Sequence, residues 1–223
     1  NVGAGPINAS KIHQSDAGGT WVALSTNATL PNFATSDAVS MGTDQRFTVF
    51  TVPTDYYTLA NDAIWNVNSN LWSNDGTTPC NCSPNGVVDA NVRIRHNAFI
   101  PATATVDAGT IINIENPVNL TTDQAFTAAI LVGVSGARLS VTNGLPAITT
   151  NTFATTAGTI VEFAGGAGTI PNQFGTANYR NLVISGTGNK TIGDNTTIEE
   201  NLTILSGTLE SGGFNLQVLG STT

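Results

Sequence analysis

The stretch that decides the fold is Asn181-Leu182-Val183-Ile184-Ser185-Gly186, echoed by Asn201-Leu202-Thr203-Ile204-Leu205-Ser206-Gly207 and Asn215-Leu216-Gln217-Val218-Leu219-Gly220. Each copy opens on Asn, alternates apolar residues and ends on Gly. Alternation at period two gives a strand one apolar face, and the closing Gly supplies the backbone freedom of a sharp corner. A unit this short cannot enclose a core alone. It has to stack on its neighbours, which is the logic of a solenoid. Asn181, Asn201 and Asn215 then occupy matching corners, where their amides either form a ladder or each fill a turn.

Working backwards, strand-like segments recur at Val92-Arg93-Ile94, Thr110-Ile111-Ile112-Asn113-Ile114, Ala129-Ile130-Leu131-Val132, Arg138-Leu139-Ser140-Val141 and Thr159-Ile160-Val161-Glu162-Phe163. With Asn91, Thr110, Ala137, Thr159, Asn181, Asn201 and Asn215 as phase markers, seven rungs at ~4.8 Å each make a rod of roughly 30 Å. The expected inward column is Val92, Ile94, Ile112, Ile114, Leu139, Val141, Val161, Phe163, Leu182, Ile184, Leu202, Ile204, Leu216 and Val218.

Composition agrees. The 223 residues include 34 Thr, 25 Asn and 23 Gly, while charged residues are only 10%. Thr favours strands, Asn and Gly favour turns, and no stretch carries sustained helical periodicity. The expected class is all-β: a parallel β-helix over about residues 62–220. A small β-rich cap or subdomain over 1–60 precedes a solenoid domain over 61–223. In the first part, Trp21-Val22-Ala23-Leu24 and Phe47-Thr48-Val49-Phe50-Thr51-Val52 read as strands, the second apolar on both faces.

Trp65 and Trp72, set among Asn and Ser, are costly unless buried, and are expected to plug the entry of the solenoid. The last rung runs into Gly220-Ser221-Thr222-Thr223 with no polar cap, so this end is expected to be covered by another chain or by further sequence.

The segment from Trp65 to Trp72, a proline-bearing loop, Asn91-Val92-Arg93-Ile94 and the closing Asn-Leu-Thr-Ile, Ser-Gly-Thr-Leu and Gly-Gly-Phe-Asn-Leu phrases resemble β-solenoid modules of secreted surface proteins of Bacteroidota. The resemblance covers about residues 62–220. It implies an extracellular protein, a type IX secretion cargo, acting in adhesion, gliding or filament building.

The expected function is therefore structural: a subunit or stalk of a surface filament or adhesin, associating through solenoid ends with copies of itself or adjoining domains. The alternative is a carbohydrate-binding module or a polysaccharide-degrading β-helix enzyme, with surface glycans as ligands. A net charge of −8 with two Lys and five Arg argues against nucleic acid. No apolar run reaches the ~20 residues of a membrane helix. The N-terminus reads as that of a processed or excised chain, without a signal peptide.

No catalytic, cofactor or metal site is expected. Cys80 and Cys82, the only cysteines, suit a disulfide or free thiols better than a metal, for which the other ligands are missing. His13 and His96 stand apart from one another, and Glu199 and Glu200 are neighbours whose side chains diverge along a strand. A lyase would also need a cation beside its acids, and Lys and Arg are nearly absent from these rungs.

Overall fold

The computed structural model describes residues 55–223 and, before them, the backbone of five short strands only. The chain divides into two compact units, 1–53 and 54–223. In the first, Lys11–Ser15 lies between Val22–Ala23 and Arg46–Phe50 in an antiparallel sheet, and Thr26–Thr29 pairs antiparallel with Asn32–Thr35. Whether Phe47–Val52 is covered on both faces, and whether this unit caps anything, lies outside the described residues.

The second unit is a β-solenoid of about six turns, and no helix occurs among the described residues. Its longest sheet stacks seven strands in parallel: Ala63–Ile64, Ala98–Ile100, Asn119–Thr122, Arg138–Val141, Ile160–Phe163, Asn181–Ile184 and Leu202–Ile204. Register along it is strict. Ala98, Leu120, Leu139, Val161, Leu182 and Leu202 lie directly above one another and are all buried. Ile100, Thr122, Val141, Phe163 and Ile184 form the second internal column. Side chains two apart share a face, so each rung contributes both columns at once. The single polar member, Thr122, donates its hydroxyl to the Gln124 carbonyl at 2.8 Å.

The other walls change along the axis. In the N-terminal half one second sheet faces the first, built of Asp55–Thr58, Asn91–Ile94, Ile111–Ile114, Thr127–Gly133 and Ala147–Asn151 in parallel. It ends at Asn151. Beyond it the path becomes three-sided: Gly168–Ile170, Asn189–Ile192 and Thr208–Glu210 make one wall, and Thr196–Ile198 with Leu216–Val218 another. The change of section is filled by aromatics. Phe153 meets Phe174 edge-on at 6.4 Å, and Phe163 meets Tyr179 at 6.3 Å, with the Tyr179 hydroxyl donating to the Pro171 carbonyl at 2.8 Å. Gly133 makes room for Phe153, since a Cβ there would come within 2.3 Å of its ring.

Three expectations change in detail. The first rung begins at Asp55, because Tyr56 pairs with Val92, so the solenoid takes in the end of the segment assigned to the N-terminal part. The phase markers mix walls: Asn91 belongs to the second sheet, and Asn181 and Asn201 to the first. Leu216 pairs with Thr196 on a third wall and not with Leu202, because fourteen residues are too few to complete a coil. The residue that returns over Leu202 is Thr222.

Of the expected inward column, the positions from Val92 to Leu202 are buried; Ile204 is 42% exposed, while Leu216 and Val218 are half-buried. The physical reason is position. These three sit at the end of the stack: only the polar Ser221–Thr223 pair over Leu202–Ile204, and no described strand lies over Leu216 and Val218.

Candidate functional site

The two ends of the solenoid differ most. At the N-terminal end Trp65 follows the first strand of the long sheet, and Trp72 sits on Trp72–Ser73, which pairs antiparallel with Asp55–Thr58 as the outermost strand of the second sheet. Both indoles are buried, at 1% and 0% exposure, and meet edge-to-face at 6.2 Å. Trp72 donates its Nε1–H to the Ile64 carbonyl at 3.1 Å. The segment after Trp72 carries the Cys80–Cys82 disulfide, whose Cα atoms are 5.2 Å apart, and is tied back by the Cys80 amide donating to the Trp72 carbonyl at 3.0 Å and by the Ser69 amide donating to the Cys82 carbonyl at 3.2 Å. Asp75 closes the turn before it, accepting from the Thr77 and Thr78 amides at 2.8 and 2.7 Å. Those hydrogen bonds hold its carboxyl well below the usual carboxylate range.

At the C-terminal end the internal columns run out onto the surface. Ile204, Leu205, Phe214 and Leu219 are 42, 63, 41 and 56% exposed. Thr208–Glu210 and Leu216–Val218 are each the outermost strand of their wall. Ser221–Thr223 begin to pair over Leu202–Ile204, with the Leu202 amide donating to Ser221 O and the Thr223 amide to Leu202 O.

The corners carry a recurrent device. The Asn181 side-chain oxygen accepts both the backbone amide of Asn201 (3.2 Å) and its Nδ2 (2.9 Å), and the Asn201 oxygen accepts the Ser221 amide at 3.1 Å and hydroxyl at 2.7 Å. Each corner amide thus satisfies a backbone N–H of the next coil that turning would leave unpaired. Asn215 takes no part in this stack. Its amide donates to Asn195 Oδ1 at 2.9 Å, one wall further round. The same arrangement joins Asn61 to Asn97 and Asn97 to Asn119, a pair of contacts hidden in the sequence by loops of unequal length.

On the outer face of the second sheet, Arg93 and Arg95 point outward as alternation requires, and both pair with Glu115, the Arg95 Nε contact being 2.8 Å. Arg95 also lies over the Tyr57 ring at 4.5 Å. Burial pushes the Glu115 carboxyl up, but the hydrogen bonds and charges of the two guanidiniums outweigh it, and the net shift is downward.

On the long sheet Glu162 accepts from Ser140 and Ser185 hydroxyls, the latter at 2.6 Å, and from Arg138 at 3.1 Å. Burial pushes this carboxyl up too, and again the donors win, leaving it lowered. Glu115 and Glu162 are therefore held as anions by fixed donors, an arrangement that ties rungs together and suits a general acid poorly.

The remaining candidates are dispersed. Glu200 accepts from the Gly158 amide and Asn181 Nδ2, Glu199 from Asn178. His96 Nδ1 lies 3.0 Å from the Thr58 carbonyl. The side chain of His13 is outside the described residues. Lys190 is buried and donates to the Gly165 and Gly166 carbonyls at 2.6 and 2.5 Å, a corner tie that no spacing announced. Among the described residues no group of three or more His, Cys, Asp or Glu side chains could hold a metal ion.

Comparison of the chain with family models, with curated proteins and with solved structures gives no match.

Proposed function

We propose that the solenoid is a structural segment of an extracellular surface filament or adhesin, and that it associates through its C-terminal end with a copy of itself or an adjoining domain of the same polypeptide. The observation that carries the reading is the contrast between a first coil sealed by Trp65 and Trp72 and a last coil that leaves Ile204, Leu205, Phe214 and Leu219 in water. Outermost strands beside exposed apolar side chains are a template for further pairing. The acidic surface and the disulfide support a location outside the cell. Glu115, Glu162, Glu199 and Glu200 are committed to structural hydrogen bonds, which supports a role without catalysis.

Sedimentation velocity across a hundred-fold range of concentration tests the reading. The mass is expected to rise with concentration, and the rise to be abolished by Leu219→Lys together with Phe214→Glu. A monomer at every concentration, or association untouched by the double variant, would refute association with a copy of itself through this end.

A further inference from the structure

The outer face of the long sheet carries a hollow of about 280 Å³ formed around Phe99 by Asp62, Asn97, Asn119 and Thr121. Its origin is the register. Phe99 lies between Ile64 and Thr121 on adjacent rungs, so three outward positions fall in a row, and Asp62, Asn97 and Asn119 stand at the corner that leads into the same three strands. The core needs of this strand are met by Ala98 and Ile100, both buried. Phe99, pointing the other way, is only half-buried. It therefore presents part of its aromatic ring to solvent, beside Ile64, which is 36% exposed.

The polar rim is held in place. Asn119 donates from Nδ2 to Thr121 Oγ1 at 3.1 Å, and its Oδ1 accepts from Ser140 at 3.0 Å. Asn97 Oδ1 accepts the Asn119 amide at 2.8 Å, which orients its Nδ2 as a donor. Asp62 is exposed and supplies a carboxylate that only accepts. An apolar floor with a few fixed donors and acceptors is the chemistry of a small-molecule site. Here the floor is one aromatic ring and the rim is amide, hydroxyl and carboxylate. This matches a ligand with an apolar C–H face and a rim of hydroxyls.

We propose that this hollow is a binding subsite for one ring of a neutral saccharide, stacked on Phe99 with a hydroxyl donating to Asp62 and another accepting from Asn97. The carboxylate disfavours uronates and other anions. The site lies on the flank of the rod, away from the C-terminal end, so it stands whether or not that end associates.

The test is a titration followed by amide ¹H–¹⁵N correlation spectra. The probes are methyl glycosides of glucose, galactose, mannose and N-acetylglucosamine, with glucuronate and tetramethylammonium as charged controls. At least one neutral glycoside is expected to give saturable shifts centred on Asn97, Phe99 and Thr121, with a dissociation constant of about 1–10 mM. Phe99→Ala should weaken binding roughly ten-fold by removing the stacking face. Asp62→Asn, which keeps a residue tolerant of the positive φ of 67° found there, should weaken it about five-fold. Far-UV circular dichroism verifies that both variants stay folded. The proposal is overturned if no neutral glycoside saturates by about 100 mM, if a charged control alone binds, or if folded Asp62→Asn binds as tightly as the native chain.

Discussion

The first and last coils of this solenoid are built to the same rule and finished differently. Both lay an apolar residue onto the columns that begin at Ala63 and Trp65, and both leave a wall with an outermost strand. At the first coil residues 65–90 make a detour that returns an antiparallel strand, two indoles packed edge to face and a disulfide. Among the described residues the last coil has no comparable detour, and Ile204, Leu205, Phe214 and Leu219 are exposed. The difference teaches that in a stacked fold a residue's burial depends less on its own phase than on whether a further rung follows. Ile184 and Ile204 hold equivalent positions, one fully buried and one 42% exposed.

The largest expected effect falls on the sealed end and the filled middle. Trp72→Ala should cost about 3–5 kcal/mol in chemical denaturation, and Phe153→Ala a similar amount, since each empties a fully buried aromatic site. Ile204→Ala, the same kind of truncation at the open end, should cost below about 1 kcal/mol in the monomer. Equal losses at Trp72 and Ile204 would break the comparison.

Next in size is a corner. Gly186 has a φ of +84°, and a Cβ there would come within 2.1 Å of the Ala164 carbonyl oxygen on the coil below. Gly186→Ala should destabilise by about 2 kcal/mol or more, combining left-handed strain with backbone displacement. Gly213, also at positive φ but with open space around it on the last coil, should lose only the conformational part, about 1–2 kcal/mol.

A smaller effect follows from Glu115 and Glu162. Both have folded-state carboxyls lowered from 4.5. Their ionised forms therefore stabilise the fold above the unfolded value, and that contribution fades as pH falls from about 4.5 through the folded values. Unfolding followed at stepped pH should show stability flat from neutrality to about 5 and falling below it. Glu162→Gln should be less stable at neutral pH and show a shallower acid limb. The disulfide also contributes little. Cys80 and Cys82 close a loop of three residues, so replacing both with Ser should cost no more than about 1–2 kcal/mol, read as a shift in denaturation midpoint.

Much of this was legible in the sequence where spacing equals one coil. Leu182, Leu202 and their alternating neighbours announce strands, a parallel stack and an apolar column, and the structure is all-β with those residues in register. What was illegible depended on which wall a segment joins. Asn215 follows Asn201 too soon to share its corner, yet its phrase is nearly identical in letters. Asp55–Thr58 is separated from its partner Asn91–Ile94 by the capping detour, so no period links them. Glu115 and Phe99 were invisible for the same reason. Their partners Arg93, Arg95, Asp62 and Asn119 are one coil away in space, and the length of each coil is set by its loops. The two exposed-face features therefore needed the register, whereas the core needed only the alternation.

The central contrast is between a first coil with two buried indoles and a last described coil with four exposed apolar side chains. Native-state amide hydrogen exchange, followed residue by residue at concentrations where the protein is monomeric, addresses this directly. Amides of Asp55–Thr58 and Ala98–Ile100 should exchange as slowly as those of the central rungs, while those of Thr208–Glu210 and Leu216–Val218 should exchange fastest within the solenoid. Protection that is uniform from the first rung to the last, or lowest around Trp65 and Trp72, would contradict it.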